Sequence, residues 1–299
     1  MSIDVVTDTE THLTAAAYVA RGAVFRTFES PEVDSGNISY GIRVGPRSYF
    51  VKTAGSVDTV CALGHPDRIT LLRNAVRLHQ ACRAPGLASL LNVIEATDGP
   101  LLVYEWVAGE SLGGSAAHRV SATSAHARFR ALPAGEIIVA LDGIVKLHEA
   151  LARAGWVAVD FYDGALLYDF VTGRMTVIDV DHYHAGPLVN TRGRQFGSTR
   201  FMAPEEFERG AQIDERTTVF TLGRLLAVFL GDGTLESLPF RGSAAMHEVM
   251  VRACQTDPAS RYTTVGAFGA AWRAIPAKFV RLHANKSVHP RATGFEGSH

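Results

Sequence analysis

The feature that most limits what this chain can fold into is a change of hydrophobic period about a third of the way along it. Up to residue 106 most apolar residues fall in short runs: Ala23–Glu29, Tyr40–Val44, Ser48–Thr53, Leu90–Glu95 and Leu101–Trp106. Each is bounded by turn chemistry such as SPEVDSGNIS, GPR or TDGP, and each reads as a strand. Between the third and fourth runs, Asp67–Cys82 has helical spacing, with Leu71, Leu72, Ala75, Val76 and Leu78 on one face. Three strands, a helix and two strands make a small antiparallel sheet with one helix, since a parallel sheet would alternate its elements. A short helix over Thr11–Ala20 is expected ahead of the sheet.

After VAGESLGG the pattern turns helical. Residues Ser115–Ala127 are small and polar and predict a mobile connection or a ragged helix. Helices are expected over Gly135–Ala154, Thr217–Leu230, Ala244–Gln255 and Val265–Ala274, with two short strands at Leu166–Tyr168 and Met175–Val180. Asp181–Phe207 reads as loop, and from about Lys278 the periodicity is lost in a basic tail. The expected architecture is therefore α+β, with a small antiparallel-sheet lobe and a larger, mainly helical one. Its parts are an N-terminal extension (1–22), the sheet lobe (23–105), the helical lobe (106–277) and a tail (278–299).

Composition narrows the partners. The 299 residues are 47% hydrophobic, enough for a substantial core. A net charge of -1, from 29 basic and 30 acidic residues, provides no global basic field for nucleic acid or an anionic membrane. There is no run of 18 apolar residues, and MSIDVVTDTETHL is unlike a signal peptide. Cys61, Cys82 and Cys254 are odd in number and widely spaced, which reads as reduced thiols. A cytoplasmic protein without nucleic-acid or membrane partners is expected, and nothing in the sequence sets its oligomeric state.

Taken singly, the chemical candidates are weak. Lys52 lies in SYFVKTAG, where alternation points Tyr49, Val51 and Thr53 one way and Phe50 and Lys52 the other. A strand lysine is ordinarily solvated. VIDVD puts Asp179 and Asp181 on one side of an extended chain, where they could share a divalent cation, although such pairs are commonly solvated turns. Asp160 follows the hydrophobic run WVAV and could be held out of bulk water; otherwise it is a loop aspartate. His182 and His184 suggest a mixed metal cluster, but lack the closed ligand set of a zinc site. His79 and His148 sit in helical patterns and read as packed or surface residues. Trp106 and Trp156 are expected to fill the interlobe region and the core.

Order changes their weight. The chain runs from a strand lysine and a helix to LLVYEWVAGESL, then WVAVDFYDGALLYD, MTVIDVD, GSTRFMAPEEF, TVFTLGRLL and DPASRY. From about Ala23 to Ala274 this series resembles the protein kinase superfamily, as a divergent bacterial Ser/Thr protein kinase-like protein. GSTRFMAPEEF is the most specific piece, similar to the end of a eukaryotic-type activation segment, and implies that Glu205 pairs with Arg261. The resemblance implies ATP and Mg2+ as cofactors. Lys52 would hold the α- and β-phosphates and Asp179 the metal, while Asp160 would accept or orient the proton of the attacking hydroxyl. Ser35, Gly36, Asn37 and Gly41 would roof the phosphates. Tyr104 takes the gatekeeper position, and the backbones of Glu105 and Val107 would hold the adenine.

Several positions depart from the family pattern. The catalytic His-Arg-Asp reads Ala158-Val159-Asp160, so the usual partner of an activation-loop phosphate is lost. The metal-binding asparagine reads Ala165, which leaves Asp163 or Asp181 to complete the metal site. The helix has no glutamate for Lys52, only Asn74 nearby. Thr218 stands for an aspartate and Tyr162 for the lysine that marks Ser/Thr kinases. The resulting expectation is a phosphotransferase acting on a hydroxyl of a protein substrate, Ser or Thr. The alternatives are a kinase for a small molecule, such as an antibiotic or biosynthetic intermediate, and a nucleotide-binding pseudokinase.

Overall fold

The computed structural model describes residues 3–29 and 35–275; the expected tail and residues 30–34 of the first turn lie outside them. The chain begins with helix α1 (Ala15–Val19), followed by strands β1 (Ala23–Phe28), β2 (Ile38–Val44) and β3 (Arg47–Thr53). Helix α2 (His65–Ala81) and strands β4 (Leu90–Ala96) and β5 (Gly99–Glu105) complete this part. The five strands form one antiparallel sheet in the order β1-β2-β3-β5-β4. The remainder comprises β6 (Glu110–Ser111), α3 (Ala116–Val120), α4 (Ala125–Ala131), α5 (Ala134–Arg153) and β7 (Trp156–Val157). It continues with β8 (Leu166–Asp169), β9 (Arg174–Val177), β10 (His184–Ala185), β11 (Leu188–Val189) and β12 (Gln212–Ile213), and ends with α6 (Glu215–Leu230), α7 (Ala244–Ala253) and α8 (Val265–Arg273). The molecule is thus mixed α+β, with a small antiparallel sheet and several helices.

Most boundaries fall within a few residues of those expected, and the exceptions have local causes. Helix α1 is half the expected length because the Thr14 side chain caps it, accepting from the Ala17 amide. Thr11 instead donates its amide to the Glu95 carbonyl at 2.8 Å, alongside the sheet. Over 115–127, Ser115 and Ser124 cap two short helices in place of a single ragged one. Strand β9 stops at Val177 because the Ile178 amide turns to the Ala165 carbonyl at 2.9 Å. Asp181–Phe207, expected as loop, contains β10 and β11, which pair with β7 and β12, and a 3-10 turn at Pro204–Glu206.

Both faces of the sheet are covered, and the two-residue period decides what each carries. On β5, Leu101 and Val103 face outward to Ile3, Val5, Tyr18 and Val19 of the N-terminal segment. Leu102 and Tyr104 face inward and join Leu72, Ala75 and Leu78 of α2 and the core of the helical region. On β3, Tyr49 and Val51 point outward, and Lys52 arrives on the inner face two residues after Phe50. A direct link joins the α2–β4 connection to β9: Val177 donates to Gly86 at 2.7 Å and accepts from Ala88 at 2.9 Å. This link sets β9, and the carboxylates that follow it, beneath the inner face of the sheet.

Candidate functional site

Lys52 is buried on β3, and its Nζ lies 3.1 Å from Asp179 Oδ1 and 2.6 Å from Asp181 Oδ2. Burial opposes the lysine's charge, but Asp179 and Asp181 outweigh it and hold the ammonium above its ordinary range. The two carboxylates differ. Asp179 has a side chain 54% exposed; desolvation by its surroundings disfavours its charge, yet Lys52 pulls its pKa below the usual value. Asp181 is buried, and desolvation together with repulsion from Asp179 outweighs Lys52, pushing it up to about 6. Its Oδ2 has a counter-charge in Lys52 but no aligned hydrogen bond.

Asn74, on α2, does not reach for the lysine. Its Nδ2 donates to the backbone carbonyls of Asp181 at 2.9 Å and Tyr183 at 2.5 Å, so a side chain of α2 ties the helix to the backbone of the carboxylate loop. Lys52 finds its buried counter-ion in Asp181. The loop has a second anchor in Tyr183, whose hydroxyl donates to His148 Nε2 at 2.8 Å, while His148 Nδ1 donates to the Ile144 carbonyl at 2.8 Å. Burial pushes His148 down to about 4, so it is neutral and keeps that pattern at physiological pH.

Asp160 has a φ of 61°, in the left-handed region, where a non-glycine residue is strained. The backbone just before it is pinned: the Ala158 amide donates to Thr218 Oγ1 at 2.9 Å, so the threonine hydroxyl holds this strand end. His182 Nε2 lies 3.7 Å from Asp160 Oδ2. Burial lowers the His182 pKa, with Lys52 and Arg192 adding to the effect against Asp179, so a neutral imidazole faces Asp160.

Asp163 is 1% exposed and ion-paired to Arg200 through Oδ2, with His126 Nδ1 3.4 Å away. That carboxylate is engaged by the GSTRFMAPEEF segment. Ala165 is buried and offers no ligand. Among the described residues no group of three or more His, Cys, Asp and Glu side chains is gathered as a metal site, His182 and His184 included. Of the two residues expected to complete a site with Asp179, Asp163 is turned to Arg200, while Asp181 shares Lys52 with Asp179. One hard divalent cation could be held by Asp179, joined by Asp181 Oδ2 only once Lys52, 2.6 Å from it, gave way, since magnesium takes one or two carboxylates and fills its shell with water and phosphate oxygens.

The expected phosphate roof is crowded. A Cβ on Gly36, whose φ is 78°, would lie 2.4 Å from Cys61 Sγ and 2.8 Å from Arg68 Nη1. One on Gly41 would lie 2.7 Å from the Phe25 ring and 3.0 Å from Trp106. Asn37 is buried with its Oδ1 unbonded, and Ser35 Oγ accepts the Asn37 amide at 3.3 Å. Beside Glu105 and Val107 the inner face carries a chain of rings: Phe25–Trp106 at 4.9 Å, Phe28–Phe50 at 5.6 Å and Phe50–Tyr104 at 6.3 Å. His79 closes it with its ring 5.4 Å from Tyr104, and burial pushes this histidine down to about 4. Trp156 is buried in the helical region.

Glu205 and Arg261 are both buried and form a two-pronged pair, 2.7 and 2.9 Å, across 56 residues of chain. No protein-family model matches this sequence, and no curated protein is similar to it at a significant level.

A cavity of about 320 Å³ opens over Asp160 and His182, lined also by Ser35, Ala62, Leu63, Tyr162, Phe196, Gly197 and Ser198. A second of about 390 Å³, bounded by Glu149, Arg153, Glu215 and Thr264, shares none of these residues. Sequence reading took His148 as a packed or surface residue and missed Arg200, His126 and Tyr183. Only the last has a signal, its position just past the paired aspartates; the others are set by packing between distant elements.

Proposed function

We propose that the chain is a protein-kinase-like phosphotransferase that binds ATP and Mg2+ between two lobes and passes the γ-phosphate to a hydroxyl, most readily that of Ser or Thr on a protein. The observation that carries this reading is the convergence of Lys52, Asp179 and Asp181, from points 127 residues apart in the chain, next to a cavity with Asp160 at its wall. The two-pronged Glu205–Arg261 pair supports the resemblance of GSTRFMAPEEF to an activation segment.

ATP with Mg2+ would supply the transferable phosphoryl group and much of the charge neutralisation that phosphoryl transfer depends on. Lys52 would shift from its carboxylate contacts toward the phosphates, and Asp179 with Asp181 would hold the cation. Among the described residues the Val107 amide has no hydrogen-bond partner, leaving it available to an adenine. Asp160 would orient the acceptor hydroxyl and take its proton, with His182 fixing the carboxylate from the other side.

A second reading, nucleotide binding without turnover, is favoured by two observations: Asp163 is spent on Arg200, and Ala165 cannot ligate. One experiment separates them. ATP with magnesium at about 100 times its dissociation constant should stabilise the protein by about 2.7 kcal/mol. Lys52→Ala and Asp179→Asn should each abolish most of that shift; a full shift in both would mean the assigned cleft is wrong. Binding without phosphate transfer to protein, peptide or small alcohols would favour the second reading.

A further inference from the structure

The cavity over Asp160 is electrically lopsided. Among the described residues that line it, Asp160 alone carries a carboxylate. Beside its lining residues Phe196 and Gly197, a turn exposes two guanidinium groups, Arg192 and Arg194. Arg192 stacks over the lining ring of Phe196 with its Cζ 4.0 Å from the centroid, and Phe196 in turn packs 4.9 Å from the His182 ring. Arg194 donates to the carbonyls of Gln195 and Gly197, both at 3.2 Å. Among the described residues neither arginine has a carboxylate within ion-pair distance, whereas nearby Arg200 is neutralised by Asp163.

The turn is built, not loose. Asn190 is fully buried; its Oδ1 accepts from the Arg192 and Gly193 amides at 3.1 and 3.0 Å, and its Nδ2 donates to Gly193 and Glu205. A buried asparagine therefore presents both arginines on a fixed turn, and the stacking on Phe196 limits the rotamer entropy Arg192 would lose on binding. An anion near the cavity wall would be repelled by Asp160, and one at the turn attracted.

We propose that Arg192 and Arg194 select the acceptor: a hydroxyl compound whose other end is anionic, the hydroxyl entering toward Asp160 and the carboxylate or phosphate resting on the two arginines. This rests on the phosphotransferase reading for the role of the hydroxyl, and on geometry alone for the anion. The same chemistry is offered by an acidic stretch beside a serine and by a small phosphorylated alcohol.

The test measures binding and transfer separately with the full chain. Labelled peptides with a central serine flanked by glutamate, alanine or lysine are titrated by fluorescence anisotropy at low salt, and unlabelled glycerol 3-phosphate is the small competitor. The glutamate peptide should bind at least about tenfold more tightly than the lysine peptide, and added salt should erode the difference. Arg192→Ala and Arg194→Ala should each weaken it roughly threefold and together about tenfold. Arg47→Ala, at an exposed strand end elsewhere, should leave it unchanged. Displacement by glycerol 3-phosphate would identify a small anion as the source, and its failure an acidic peptide. Equal binding of all three peptides, a preference that survives the double substitution, or no binding of any probe overturns the proposal. Binding of the acidic peptide without phosphate transfer would sink the phosphotransferase reading and leave the anion site standing. Equally fast transfer to the lysine peptide would do the reverse.

Discussion

Arg261 makes five hydrogen bonds without reaching solvent: two to Glu205 and one each to the carbonyls of Gln255, Arg216 and Thr256. Thr217 adds a further donor to Glu205 at 2.8 Å. Removing one partner leaves a buried charge uncompensated, so Arg261→Ala should cost about 3–5 kcal/mol in urea unfolding. A variant as stable as the parent would refute the pairing as a stability element. Next to it, Glu206 is buried and accepts the Ala203 amide at 2.7 Å. Burial and repulsion from Glu205 raise its pKa from 4.5 to about 8, despite that hydrogen bond and Arg261. A carboxyl whose folded pKa is raised contributes stability that is complete below pH 4.5 and is lost as pH rises through 8. Glu206→Gln keeps an acceptor for Ala203 but cannot ionise. It should flatten that part of the stability–pH curve and be the more stable form above about pH 8. A parent curve with no decline over that window would refute a protonated Glu206. Lys52, Asp179, Glu205 and Arg261 were legible because motif order marks them. The partnership of Lys52 with Asp181 was not, because which of two nearby carboxylates is buried depends on how α2 and the loop after β9 pack together.

The segment between β9 and α6 is ordered by contacts of its own. Asp163 pairs with Arg200, and Arg224 Nε donates to the Arg200 carbonyl at 2.8 Å. The Gln195 amide donates to the Glu206 carbonyl at 2.8 Å, and Asn190 braces the turn at its start. None of these contacts needs a phosphate. Asp163→Asn removes the charge that balances Arg200, so amides of this segment, Gln195 and Met202 among them, should exchange on the order of tenfold or more faster. Protection in α5 and α6 should be unchanged, and unaltered exchange in the segment would sink the idea. At this scale the sequence carried the long elements well, since α2, α5 and α6 have apolar stripes and the five strands of the large sheet have turn residues at their ends. The two-residue strands β10, β11 and β12 were invisible. They exist only because their partners are brought alongside, and two residues carry no period.

At the scale of the whole molecule, the sheet has no dry face to spare. Pro100 through Tyr104 are all buried, so β5 is apolar on both sides, where a half-solvated strand would alternate with polar residues. The inner side is covered by α2 and the helical region. The outer side depends on residues 3–22, whose Ile3, Val5, Tyr18 and Val19 pack on Ile42, Val51, Ile94 and Leu101. Polar contacts fix the cover in register: Asn92 Nδ2 donates to the Val5 and Asp8 carbonyls at 3.1 and 2.7 Å, and Asp98 accepts the Ala15 amide at 2.7 Å. Burying four such side chains at about 1.5–3 kcal/mol each is comparable to the whole net stability of an ordinary domain, about 5–15 kcal/mol. Deleting residues 1–22 should therefore do more than trim an extension. The truncated chain should unfold at much lower urea, bind a hydrophobic dye and elute as higher oligomers, because a sheet face of aliphatic side chains would meet water. A milder variant separates lost packing from lost chain. Tyr18→Ala keeps the segment and its backbone hydrogen bonds but removes the largest buried ring and its hydroxyl contact to Asp8 at 2.5 Å. It should cost about 3–5 kcal/mol, as truncation of a buried aromatic does. If the deletion were monomeric with an unshifted urea midpoint, the N-terminal segment would be an appendage, and the outer face would need another explanation for its apolar side chains.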